Sequence, residues 1–139
     1  MADTASTHEE AHTETPLKEK EELQYNSHLE ELIASVKIAL ANTFFMYYKT
    51  HSFHWNVEGI LFSQYHEFFG NLYEELYGAV DPLAEEIRAL DSKAPKSIAQ
   101  LMEYKTIAET TDEPELIRDM LTALQKDNEE TIASLNKVF

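Results

Sequence analysis

Residues 63 to 91 carry apolar side chains at Phe69, Leu72, Leu76, Val80, Leu83, Ile87 and Leu90. Steps of three and four residues return to one face of an α-helix, which turns ~100° per residue. A stripe of that length predicts one long amphipathic helix from Ser63 to about Asp91, and an all-α chain around it. His66, Tyr73, Tyr77, Asp81, Glu85 and Arg88 lie along the flank of the stripe. That flank faces a neighbouring subunit more readily than the inside of its own bundle.

The chain turns between Gly59 and Ser63, and His54 stands just ahead of the turn, beside Trp55. Two imidazoles, His54 and His66, and two carboxylates, Asp81 and Glu85, are a ligand set that suits iron. One helix cannot bring them together. At a rise of ~1.5 Å per residue, His66 and Asp81 lie roughly 22 Å apart along its axis. Pairing two copies of the helix antiparallel about a two-fold axis removes the difficulty. His66 of one chain then lies beside Asp81 and Glu85 of the other, in two equivalent sites. The i, i+4 spacing puts both acids on one face. Such pairs usually form a merely solvated face, and it is the histidine spacing that singles these out. Trp55 alone reads as an interfacial packing residue; beside iron it can also supply an electron.

The segments HWNVEG and DPLAEEIRAL, with His66 twelve residues after His54 and Asp81 fifteen after His66, resemble the Dps family, the miniferritins. The resemblance covers residues ~27–139 and implies a ferritin-like four-helix subunit in a hollow shell of twelve. It implies ferroxidase centres between two-fold-related subunits, with hydrogen peroxide as oxidant of Fe2+ and storage of Fe3+. By position, His54 and His66 come from one subunit, and Asp81 and Glu85 from its partner.

Two departures matter. Members of the family commonly carry an acid four residues after the second histidine, where this chain has Gly70. One carboxylate of a second, weaker iron position is then missing, although Glu67, Glu74 and Tyr73 are close in sequence. The plainer reading is that Gly70 lets helices approach, at about 1 kcal/mol relative to Ala in a helix. The chain also stops at Phe139, about one helix short of the family, on an apolar stripe with no stop signal. The expectation is a ferritin-like bundle with a short crossover helix, lacking most or all of the fourth long helix in a C-terminally incomplete chain. The rival is a three-helix variant whose groove a neighbour fills.

Residues 1–22 are expected to be a disordered acidic tail: seven acids against two lysines, no helical period, and Pro16. Tail histidines His8 and His12 are expected to do nothing specific. Residues 23–139 form the domain, with a first helix opening at the capping box Ser27–Glu30. Its stripe runs through Leu29, Leu32, Ile33, Val36, Leu40, Phe44 and Tyr47 to His51 and His54. His51 is read as a hydrogen-bonded core residue. Pro82 is expected to kink the second helix. Ser97–Tyr104 suggests a short crossover helix, and residues 110–114 a further start. The third long helix carries Ile117, Leu121, Leu124, Ile132 and Leu135, interrupted at Asp127 and Asn128.

With 139 residues and 43% hydrophobic content, the chain can bury one modest core. Without cysteine it has no disulfide or thiolate site. The lack of a ~20-residue apolar span or a secretory signal makes a cytoplasmic protein the default. A net charge of −15 repels phosphate backbones and concentrates cations. Intra-bundle ferritin sites use Glu-x-x-His pairs, and the sole one here, Glu9/His12, is in the tail. An iron-oxidising storage protein therefore leads. The alternatives are a DNA-compacting protein, which the acidic tail opposes, and an inactive scaffold.

Overall fold

Two helix-forming runs separated by Gly59 fold back on each other. The computed structural model describes residues 16–110 and 116–139. Among these residues the elements are α1 (Leu17–Asn56), α2 (Phe62–Ala89), a short α3 (Ile98–Tyr104) and α4 (Ile117–Asn136), with no strand. α1 is the centre: α2 packs along it, and α4 and α3 each pack against it as well. The architecture is the expected all-α one, with three long helices and one short. No helix among the described residues is long and apolar enough to cross a membrane.

α1 begins at Leu17, not near Ser27. Pro16 stands at its N-cap and its carbonyl accepts from Lys20 N at 3.1 Å. Ser27 is exposed within the helix, so the Ser27–Glu30 pattern is no cap. Residues 17–22, expected in the tail, are the first turns instead. Lys, Glu and Leu are strong helix formers, and nothing after Pro16 stops propagation. Residues 1–15 of the expected tail, with His8 and His12, lie outside the described residues.

The hairpin turn is local chemistry. Val57 N caps α1 on Phe53 O at 2.9 Å, and Phe62 N bonds Gly59 O at 3.1 Å. Gly59 sits at φ +105°, where a Cβ would be strained. α2 then runs through Pro82 as one helix, with open space around Gly78. It ends on Asp91 in the left-handed region, with Ser92 N reaching back to Ile87 O.

The core has two centres. Met46, Phe53, Val57, Phe69, Ile107, Met120 and Leu124 fill the hairpin end, with Leu72 and Leu76 against them. Val36, Leu40 and Ile87 fill the other, backed by Val80, Leu83 and Leu90. All seven stripe residues of α2 thus take part. On α1 the expected stripe is only partly right. Phe44 and Tyr47 are half-buried on its flank, while Met46, Lys49, Thr50 and Phe53 point inward.

α4 is not interrupted at Asp127. Its carboxylate accepts from Lys49 Nζ at 2.6 Å, with side chains only 7% (Lys49) and 5% (Asp127) exposed. Met120, Leu124 and Thr131 complete the buried face, whereas Ile132, expected on it, is exposed. Of the expected start signal, Thr110 is not helical and residues 111–114 lie outside the described residues. Ser97 caps α3 by accepting from Gln100 N at 3.1 Å. The crossover is then pinned to α1: Asn42 and Thr106 bond twice, each at 2.9 Å, and Lys49 Nζ also donates to Ala108 O. An open groove remains between α2 and α4, lined by Leu61, Tyr65, Ile117 and Leu121.

Candidate metal centre

His54 and His66 stand at equal distances in sequence from Ile60, at the tip of the hairpin. Folding back about that tip stacks their rings, with centroids 3.7 Å apart and planes 18° from parallel. The contact is reciprocal. His54 Nδ1 lies 2.6 Å from His66 O, and His66 Nδ1 lies 2.8 Å from His54 O. A carbonyl only accepts, so each Nδ1 carries a proton, and Nε2 is the nitrogen left to offer a lone pair to a metal. Backbone-anchored imidazoles with a free Nε2 are how proteins present histidine to a metal. The bond to His54 O has a second use. That carbonyl is in the last turn of α1, where no later helical N–H reaches it, so His66 also closes the helix end.

Two further residues hold the pair. Phe62 stacks on His66 at 4.9 Å, from the first turn of α2. A Cβ on Gly70 would stand 3.2 Å from both Cε1 and Nδ1 of His54. Gly70 thus makes room for the ring itself, a role that spacing arguments about a missing ligand do not suggest.

Asp81 and Glu85 are exposed on α2, and the helix between His66 and Asp81 is unbroken. Among the described residues no group of three or more His, Asp or Glu could hold a metal ion. Within one chain the histidines therefore meet each other and not the acids.

Around the pair lies a nest of rings. Trp55 is 54% exposed and packs against His51 at 4.0 Å. The other face of His51 stacks on Tyr73 at 3.9 Å and 14°. Tyr73 touches His54 edge-on at 5.3 Å. Tyr47 packs against Tyr77 at 5.0 Å, and its hydroxyl lies 3.2 Å from His51 Nδ1. Burial, and then the neighbouring His54, hold the His51 imidazole below its ordinary value. His51 is thus the packed, hydrogen-bonded residue expected.

A family model for the ferritin-like domain matches residues 19–139. The chain belongs to the ferritin-like family. Within it, a DNA protection during starvation protein of Brevibacillus brevis is 39% identical over 72 residues, 52% of this chain and 48% of that one. The crystal structure of a Dps protein from Bacillus brevis superposes with a TM-score of 0.75 at 29% identity, covering 81% of this chain and 74% of the other. A Vibrio cholerae Dps structure, described as a ferritin-like diiron-carboxylate protein, gives 0.74 at 25% identity over 81% and 70%. The chain spans about half the length of curated relatives it matches. The Dps resemblance of the HWNVEG and DPLAEEIRAL segments agrees with these likenesses.

Proposed function

We propose that this chain is an iron-sequestering ferritin-like protein that oxidises Fe2+ with hydrogen peroxide and holds the product as Fe3+. The observation that carries the reading is the anchored imidazole pair, with both Nε2 lone pairs free and the acids too far along α2 to reach them. The missing half of the ligand set comes from a second copy. His54 and His66 of one subunit and Asp81 and Glu85 of its two-fold mate form each centre. Nitrogen and oxygen donors together suit Fe2+, and the carboxylates favour the Fe3+ formed. Iron is substrate and cargo here. The two electrons that peroxide needs come from iron, with Trp55 as a further donor beside the pair.

A twelve-subunit shell assembled from such dimers gives the product an enclosed acidic space. A net charge of −15 draws cations towards it, and the same charge disfavours duplex DNA as a partner. A cytoplasmic setting suits a cysteine-free chain of this kind. The Vibrio cholerae relative's diiron-carboxylate description supports the chemistry.

His54→Ala and Glu85→Ala should each abolish rapid peroxide-driven Fe2+ oxidation, followed by ferric absorbance, while helical content by circular dichroism stays unchanged. Full oxidation rates in either variant would overturn the assignment.

A further inference from the structure

α2 carries six acids, Glu67, Glu74, Glu75, Asp81, Glu85 and Glu86, and a single cation, Arg88. Two such helices side by side repel each other, and the place of the one cation then decides which arrangement repels least. Arg88 shares a flank with the acids of the proposed centre, two turns after Asp81 and nearly one after Glu85. It is exposed and makes no ion pair among the described residues. Its Nη1 donates to Ser92 O at 2.8 Å, which fixes the guanidinium at the end of the helix and leaves its flat face free.

Phe62 opens the same helix on the same flank, one turn before His66. One face of its ring stacks on His66 at 4.9 Å and 23°. The residue is nevertheless 41% exposed, and among the described residues no cation and no second ring lies against it. The antiparallel pairing proposed above brings these two unpartnered groups together. With His66 of one copy level with the midpoint of Asp81 and Glu85 of the other, Arg88 falls about 7.5 Å further along. Phe62 lies about 6 Å from His66 in the same direction. In a parallel pair Arg88 would meet its own twin.

We propose that Arg88 of each copy lies over the outer face of Phe62 of its mate, a cation–π contact that sets the register of the α2 pair. This rests on the shared-centre reading and names what positions that centre. Arg88 of one copy and Phe62, His66 and His54 of the other then form one stack, whose two imidazoles are 3.7 Å apart. A guanidinium is planar and weakly hydrated, so it covers a ring at little cost. The partial positive charge at the start of α2 opposes a cation there, so the ring face and not the backbone supplies the attraction. Arg88 touches no metal; it is a positioning residue that acts through Phe62. A slip of one helical turn would carry the acids about 5.4 Å past His66, more than twice the length of a metal–ligand bond.

Two measurements test this. The first follows dissociation of the metal-free full chain by sedimentation over serial dilution. Arg88→Gln and Phe62→Leu should each raise the dissociation constant of the pair about five-fold, and the double variant should lose no more than either alone. Additive losses, about 25-fold in the double variant, overturn the contact, as does a chain that never pairs. The second follows Co2+, a spectroscopic stand-in for Fe2+, by its visible absorption in dilute protein. Arg88→Gln should bind Co2+ several-fold more weakly than the parent, and Arg88→Lys, which keeps the cation, should recover most of the loss. A cation that merely stood near the centre would act the other way, so tighter Co2+ binding in Arg88→Gln refutes the positioning role. Iron oxidation that fails while the coupling of Arg88 and Phe62 is intact counts against the function proposed above. Absence of that coupling in a pair that oxidises iron counts against this contact alone.

Discussion

At the scale of single residues, Gly70 and His51 carry the clearest consequences. Gly70→Ala removes a helical glycine, which by propensity should stabilise α2 by about 1 kcal/mol. The added Cβ meets the His54 ring at 3.2 Å, so the ring must shift by a few tenths of an ångström. We expect unfolding stability held or raised and affinity for Co2+, used as a spectroscopic stand-in for Fe2+, lowered. Unchanged affinity would show that the space beside His54 is immaterial. For Gly70→Glu the same contact precedes any ligand role of the new carboxylate. The site was half legible at this scale. Spacing singled out His54, His66, Asp81 and Glu85 as candidates, whereas the seat that Gly70 provides needs the helix separation to be known.

His51 bears on pH. Its imidazole is held below the ordinary 6.5, first by burial and then by His54. The unfolded chain therefore binds a proton at a pH where the folded chain does not, and stability falls as pH drops through that ordinary value. Thermal unfolding between roughly pH 7.5 and 5.5 should show this fall, and His51→Gln should flatten it. An equally steep fall in the variant would mean that other groups govern it.

At the scale of elements, the buried pair between α1 and α4 dominates. Asp127→Ala leaves Lys49 charged and buried, a change that typically costs about 3–5 kcal/mol. Chemical denaturation should show that loss. Lys49→Met combined with Asp127→Leu should recover most of it, since an apolar pair of similar volume needs no desolvation. Sequence patterns hid this contact. Asp127 looked like a break because its partner is 78 residues away, outside any local window. The signal that was present was Lys49 itself, on the inward period of Met46, Thr50 and Phe53. Misplacing the start of α1 has a related cause. Ser27–Glu30 is a good local cap, and ten upstream residues of helix-forming sequence outweighed it. α2 was legible almost to the residue because one uninterrupted apolar period and a glycine turn both define it.

For the whole molecule, the separation of imidazoles and acids along α2 makes a complementation test decisive. A chain lacking His54 and His66 and a chain lacking Asp81 and Glu85 should each be inactive alone. Mixed and reassembled, each heterodimer keeps one complete centre and one empty one, so part of the oxidation rate should return. Heterodimers that form and stay inactive would mean that the centre is not shared. The all-α bundle itself followed from three apolar periods. How copies meet did not, because a flank rich in Tyr, His and acid serves solvent and partner equally well.

An unbroken α2 also has a meaning for regulation by quantity. If neither copy owns a complete centre, the unit of activity is a pair, and its abundance follows the law of mass action. Well below the dissociation constant of the pair, oxidation should rise with the square of the chain concentration and revert to first order above it. Progress curves over serial dilution would show the change of reaction order. A cell making such a chain would switch iron oxidation on more steeply than it raises the chain's synthesis, with no effector beyond the protein itself.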